Sequence, residues 1–298
     1  MKQRLKLGQH GCKTAGDMAG KGMKKLLPFP LIVLLLVILS SPVSQAQKKK
    51  KGGEPAPIRA LLITGGCCHD YDMQKRIIMD GVAERAHVVW DLVYEQFEGK
   101  EHPIGIYTRK DWAKGYDVIV HNECYGGVSD DDFVNAMVKA HTDYGVGVVV
   151  LHCSMHSYRA AKTDEYRKLI GVSSFNHGKK SPIKVTKLDK THPVIKALPE
   201  GWVTPDGELY NTNSKAHPDA KMWDSATPLA EGKIPSTEAA QTCIWVNEYQ
   251  GCKTFGTTIG HHNETMLDPV YLDLLTRGLL WTCGKLTEEG TAVEGYGK

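Results

Sequence analysis

The 298-residue chain has no Cys-x-x-Cys pair, no His-Glu-x-x-His motif and no Gly-x-Gly-x-x-Gly turn. Those absences remove the familiar paired-spacing zinc and thiol-redox motifs, the zinc-protease helix and the dinucleotide fingerprint. No P-loop lysine follows the first glycine-rich turn, and no internal repeat is visible. Basic residues are not clustered either, apart from Lys48 to Lys51. Without a phosphate-backbone footprint, nucleic acid is not an expected partner. Long apolar runs are also missing: the longest, Leu31 to Leu39, falls far short of the roughly 20 residues that a spanning helix needs.

That short apolar run has its own meaning. It follows Lys2, Arg4, Lys6, Lys13, Lys21, Lys24 and Lys25, and it precedes the small-residue end Ser44-Gln45-Ala46. The order is that of a secretory signal over residues 1–46, with an uncleaved N-terminal anchor as the other reading and Met23 as a second candidate start. The expected location is therefore periplasmic or secreted, with no stable membrane span after signal removal. The whole chain has 37 Lys+Arg and 34 Asp+Glu; the signal holds seven and one of these, leaving 30 and 33, a net of −3. The lysine run and Gly52-Gly53-Glu54-Pro55 read as a linker over 47–57. One domain is expected over 58–286, followed by a flexible tail over 287–298. Seven cysteines remain after Cys12, an odd number that leaves at least one thiol unpaired. A domain of this length does not need disulfide staples, so packed thiols are the default.

Four apolar, β-branched runs each stop at a chemically loaded cluster. Ile58 to Thr64 meets Gly65-Gly66-Cys67-Cys68-His69-Asp70; Val118 to Val120 meets His121-Asn122-Glu123-Cys124. Val146 to Leu151 meets His152-Cys153-Ser154-Met155-His156, and Phe255 to Ile259 meets Gly260-His261-His262-Asn263-Glu264. Short runs with no polar face are the pattern of parallel strands buried on both sides. Helices are expected over 73–85, after Ser129 as cap, and over 270–281, in β-α-β order. In the second half Pro182 to Leu188, Thr227 to Ala230, Gln241 to Val246 and Lys253 to Ile259 are separated by turn residues, which predicts antiparallel additions. Ligands of open α/β sheets bind beyond the carboxyl ends of the strands, where these clusters fall.

Each candidate has a plain structural alternative. Cys153 stands where a strand-to-helix nucleophile would, with His262 and Glu264 as partners, but Leu151 and Met155 replace the glycines that a nucleophile elbow needs. The other reading is a packed thiol. His69 follows two glycines that permit close backbone approach, and is either a ligand-facing group or a loop histidine near a helix start. Glu208 and Tyr210 share one face of an extended segment, so both can reach one polyol. Of His261 and His262 only one can face a pocket. His121 and Glu123 are weaker candidates. No metal is assigned, because no paired histidine spacing exists, and the twelve histidines that follow the signal leave a divalent ion as the open alternative.

Several separated segments together resemble the ThuA-like family, named for trehalose utilisation. They are the loop ending in His69, the Val148 to His152 strand end, Thr191-His192-Pro193-Val194, Glu208-Leu209-Tyr210, Thr257 to His261 and Leu274 to Trp281. The resemblance implies a three-layer, flavodoxin-like fold similar to class I glutamine amidotransferases: a mostly parallel sheet with antiparallel additions in the second half. It also implies a role in carbohydrate catabolism, including keto-sugars. The amidotransferase glycine-x-cysteine-x-glycine elbow is absent here, which argues against glutamine hydrolysis. On this reading His152, Glu208 and His261 carry acid/base catalysis, and His69, Tyr210 and Glu123 bind the sugar. The expected partner is a small-molecule carbohydrate, with no cofactor assigned and a homo-oligomer possible. The alternatives are a sugar-binding module without turnover, stacking its ligand on Trp202, Trp223 or Trp245, and a Cys153-His262-Glu264 hydrolase.

Overall fold

β1 (Ile58–Gly66), β3 (Val118–Cys124), β4 (Gly147–Leu151) and β10 (Cys252–Thr257) are the four loaded runs, and they are consecutive, parallel neighbours in one sheet. The computed structural model describes residues 53–212, 218–235 and 239–298. The signal-like segment and the lysines of the linker lie outside the described residues. In chain order the remaining elements are α1 (Tyr71–Ala83), β2 (Val88–Tyr94), α2 (Asp131–Tyr144), α3 (Glu165–Ile170) and β5 (Val172–Ser173). Then come β6 (Lys184–Lys187), β7 (Lys221–Met222), β8 (Ala226–Lys233), β9 (Gln241–Tyr249), α4 (Asn263–Leu267) and α5 (Pro269–Thr282).

The large sheet has the order β2-β1-β3-β4-β10-β9-β8-β6. Its first five strands are parallel and follow the flavodoxin-like order; the last three join antiparallel. Alternation along each central strand builds two cores. Ile58, Ala60 and Leu62 pack with Ile77 and Val82 of α1 and Leu275 and Leu279 of α5. Leu61 and Ile63 pack on the opposite face with Met137 of α2 and Leu169 of α3. Both faces are covered, so both sets are apolar. The antiparallel half follows from its connections: β9 and β10 are joined by Gln250 and Gly251, both at positive φ (47° and 83°), a two-residue hairpin that can join only antiparallel strands.

Local signals fix the helix ends. Asp130, one residue beyond the expected Ser129, caps α2 by accepting the Phe133 amide at 3.1 Å, a role for which Asp and Ser are equally suited. Gly145 ends the helix in the left-handed region at φ 59°. Asp268 caps α5 ahead of Pro269. Two differences from the sequence reading matter. β3 runs on to Cys124 rather than stopping near His121. The tail is not free: His87 N–H donates to the Tyr296 carbonyl (2.9 Å), Lys298 N–H to that of Arg85 (3.1 Å), and Ala292 and Tyr296 pack against the α1/α5 core.

At the end of β1 the chain turns through Gly65 and Gly66, at φ 132° and 109°. A Cβ on Gly66 would stand 2.5 Å from the Cys124 carbonyl oxygen of the neighbouring strand. Gly66→Ala is therefore expected to destabilise the fold by about 1–3 kcal/mol, the usual cost of holding a side chain in such backbone. Urea denaturation measures it, and an unchanged midpoint would contradict the close approach.

Candidate functional site

Because the four loaded strands are parallel and adjacent, their carboxyl ends open on one edge, and the loops beyond them meet. His69 follows β1, His152 follows β4 and His261 follows β10. Glu208 and Tyr210 arrive from the segment between β6 and β7. His69 Nε2 lies 2.9 Å from His261 Nδ1, and His152 Nε2 lies 3.2 Å from the same atom. Glu208 Oε2 is 3.2 Å from His261 Nδ1 and 3.5 Å from His152 Nε2. Tyr210 Oη stands 3.3 Å from His152 Nε2, so the carboxylate and the phenol two residues apart do reach one group. Five of the six expected site residues are thus brought together.

The sixth is not. Glu123 is wholly buried and accepts hydrogen bonds from Tyr107 (3.0 Å) and Tyr158 (3.1 Å), with His121 Nδ1 at 2.9 Å. It points into the α2 side of the sheet, away from the cluster, because β3 extends through it and strand alternation puts residues 119, 121 and 123 on one face. Of the adjacent histidines, His261 joins the cluster, while His262 turns outward to Asp206 at 3.4 Å. Gly260 makes the bend at φ 123°, its missing side chain leaving room for Tyr271 Oη.

His152 is held in the left-handed region at φ 42°, at the sharp turn from β4 into a short 3-10 helix. The strained position at the strand end therefore carries an imidazole rather than the Cys153 thiol. Its Nδ1 lies 2.6 Å from the Thr258 carbonyl, which can only accept; that nitrogen carries the hydrogen and Nε2 presents a lone pair inward. His69 Nδ1 lies 3.1 Å from Tyr71 Oη, whose own hydrogen goes to the Cys67 carbonyl (3.1 Å). The inward Nε2 of His69 is likewise a lone pair.

Electrostatics follow from burial. Burial, with the neighbouring His152 and His261, pulls the His69 imidazole down to about 2. Burial also lowers His152. For Glu208 burial works upward, but the imidazoles of His152 and His261 outweigh it and hold the carboxyl well below its ordinary range. Glu208 is thus held as a carboxylate beside His69 and His152, whose imidazoles burial disfavours in the charged form. Among the described residues, His69, His152, Glu208 and His261 form the group of His, Cys, Asp and Glu side chains placed to hold a metal ion, their ligand atoms all within 4.8 Å of one another.

His69, Glu208 and His261 of the cluster line one wall of a hollow of about 300 Å³, and buried His152 stands behind them. Residues outside the expected set line it too: His156 and His177, and the cations Lys100, Arg159 and Lys180. His177 Nε2 lies 3.5 Å from Glu208 Oε2, and Tyr210 stacks on His156 with ring centroids 4.0 Å apart. His177 sits in Asn176-His177-Gly178, where nothing but the residue type marks it; only its bridge to Tyr210 brings it in. A second hollow of about 530 Å³ shares Cys68, His69, Lys180 and His261 with the first. Neither is lined by Trp202, Trp223 or Trp245. Trp245 is buried in the core, where its Nε1 donates to the Ile170 carbonyl at 2.7 Å. Trp202 donates to Asp268 at 3.0 Å.

Four cysteines ring the same hollow and are paired: Cys67 with Cys68, and Cys124 with Cys153, whose Cα atoms are 5.5 Å apart. The default of packed thiols fails here because β3 and β4 are neighbours and end side by side. Cys153 in this state has no thiolate to offer, which removes the Cys153-His262-Glu264 nucleophile. Cys243 and Cys252 are buried free thiols and Cys283 is partly exposed. Alkylation in denaturant without reductant should label only Cys243, Cys252 and Cys283 among the described residues, with the other four labelled after reduction. Peptide mass mapping reads this, and label on Cys124 or Cys153 before reduction would refute the pairing.

The family model described as ThuA, trehalose utilisation, matches residues 69–282. Among solved structures, a ThuA-like protein from Parabacteroides merdae shares 18% identity, covering 81% of this chain and 97% of that one, with a TM-score of 0.62. Another from Bacteroides uniformis also shares 18% identity, over 76% of this chain and 92% of that one, with a TM-score of 0.51. At that identity the likeness is one of fold. A CTPS glutaminase domain from Trypanosoma brucei matches more distantly, at 14% identity over 81% of this chain and 100% of that one, with a TM-score of 0.44. No curated protein matches the chain.

Proposed function

This chain belongs to the ThuA (trehalose utilisation) family, and we propose that it converts a keto-sugar or keto-glycoside by acid/base chemistry at the histidine–glutamate cluster. The observation that carries the reading is the convergence of His69, His152, Glu208 and His261, with His69, Glu208 and His261 on the wall of a hollow of small-molecule size and His152 in contact behind them. Two hollows share His69 and His261 in their walls, and their volumes of about 300 and 530 Å³ would each accommodate a sugar ring, as a disaccharide would need.

The chemistry is that of a carbon acid. A keto group at C3 acidifies the C2 hydrogen. A base takes that proton, the electron pair moves through C1–C2, and the C1–oxygen bond breaks; the departing oxygen takes a proton from an acid. Glu208 or His152 fills the role of base, His261 that of acid, and His69 and Tyr210 orient the ring. His177, within reach of Glu208 and partly exposed, is a further group for proton exchange with solvent. Export to an oxidising compartment is part of the proposal, since paired cysteines persist there and are rare in the cytosol. No helix among the described residues is long and apolar enough to cross a membrane.

One feature favours a narrower substrate class as a second reading. Lys100, Arg159 and Lys180 line the first hollow, and Glu208 is the acid that faces them. Arg159 is held in place by donating to the Phe175 carbonyl at 2.6 Å. A sugar that carries a carboxylate would complement that charge.

Turnover of 3-keto-glycosides, followed by release of the aglycone, tests the main reading. Glu208→Gln and His261→Ala should each lower kcat by about 10²- to 10⁴-fold, the usual worth of a positioned acid or base. Near-full activity in both variants would remove these roles. Saturable binding with no product over long incubation would instead favour a sugar-binding module.

A further inference from the structure

We propose that His69, His152, Glu208 and His261 bind one divalent transition-metal cation of the zinc class. The outer nitrogens of His69 and His152 are committed as donors, to Tyr71 Oη and the Thr258 carbonyl, so both inner nitrogens are lone pairs. Beside them stand Glu208 Oε2, an acceptor, and His261 Nδ1, which can carry at most one hydrogen. Tyr210 Oη, 3.3 Å from His152 Nε2, can donate to that nitrogen, but His69 Nε2 and Glu208 Oε2 still face the one possible N–H of His261, which can serve only one of them. A cation at the centre satisfies all four donors together.

The spacing agrees. Four ligands about 2.1 Å from a tetrahedral ion lie about 3.4 Å from one another. Four of the six ligand–ligand distances are 2.9, 3.2, 3.2 and 3.5 Å, and none of the six exceeds 4.8 Å. Three imidazoles and one carboxylate suit zinc, cobalt or nickel, whereas calcium and magnesium prefer oxygen throughout. The outer hydrogen bonds to Thr258 and Tyr71 are the kind that orient metal-bound imidazoles and fix their tautomers. His152 is held at positive φ, so its ring approaches the others directly from the strand end.

This deepens the carbohydrate reading, and rests on it only for what the ion does. A bound cation could accept one oxygen of the sugar only as a fifth ligand, and would then hold the negative charge that develops on a keto oxygen when the neighbouring C–H is deprotonated. With the ion bound the four side chains would act as ligands in place of the acid and base roles given them above, and a fall in kcat in Glu208→Gln or His261→Ala would report loss of the ion. The departing proton would pass to water or to His177, which lies outside the set.

The experiment uses the full chain, purified without a metal-binding tag. Elemental analysis should find close to one transition metal per chain. After removal of metal by chelation, titration with zinc should be saturable at one equivalent and raise the Tm. Cobalt loading should give the intense visible bands of a four-coordinate site. His69→Ala, His261→Ala and Glu208→Gln should each weaken binding by more than about 100-fold, beyond the 10- to 100-fold expected for the outer-sphere variant Tyr71→Phe. His177→Ala should leave it unchanged. Circular dichroism separates lost binding from lost folding, and Tyr71→Phe, which keeps the ring packed, remains informative if a ligand variant unfolds. Absence of saturable zinc, cobalt, nickel or manganese binding by the folded chain overturns the proposal, as does binding that none of these substitutions alters. Metal bound without keto-sugar turnover leaves this site standing and ends the function proposed above. Turnover that survives complete metal removal leaves that function standing and removes the ion's part in it.

Discussion

Everything at this site depends on the parallel register of four neighbouring strands. Gly66 pairs with Cys124, Val150 with His121 and Leu151 with Thr257, so the strands finish at nearly one level. His69, His152 and His261 then stand three, one and four residues beyond those levels, close enough to meet. Had one of the strands been antiparallel, its histidine would lie at the opposite edge of the sheet. Had one slipped by a single residue, the side chain leading out of it would change faces. The apolar runs that fix the register serve the packing of two helix layers, and the chemistry is carried by the residues just past their carboxyl ends.

Much of this was legible in the chain, for a definite reason. Runs such as Val148 to Leu151 have no polar face, and only a sheet covered on both sides can use them, so fold and strand order could be read from pattern. The convergence of His69, His152 and His261 followed from the fold. Glu123 was misjudged because strand ends are hard to see in sequence: once β3 is allowed to run to Cys124, alternation sends Glu123 inward with Ile119 and His121. His177 and Arg159 carry no spacing signal at all. They reach the hollow through a bridge to Tyr210 and a hydrogen bond to Phe175, contacts between segments that no local pattern announces.

The metal question shows the same limit from another side. Spacing rules for metal sites detect ligands that share a helix or a short loop, because there the sequence interval sets the distance between side chains. Here the four ligand atoms come from four segments, and the sheet sets the distance. The relevant sequence signal is the recurrence of a histidine just past each of three buried strands. That signal becomes meaningful only after the strands are known to be parallel and near one another.

The disulfides and the cluster constrain each other through the same strand ends. Cys67-Cys68 immediately precedes His69, and Cys153 immediately follows His152, bonded across to the end of β3. Two of the three converging imidazoles are thus flanked by covalent links, while the third follows Gly260 and is backed by Gln74 of α1, whose side-chain amide donates to the His261 carbonyl at 3.3 Å. Such anchoring has a physical use. Inward lone pairs beside a carboxylate repel one another, and the loops bearing them would relax apart if free to do so. A scaffold that resists this relaxation keeps the donors close before any positive charge arrives, so less ordering remains to be done when it does. The left-handed backbone at His152 belongs to the same account: the strain at that turn is held by β4 on one side and by the link to Cys124 on the other, and it keeps the imidazole aimed at the point where the other three groups meet.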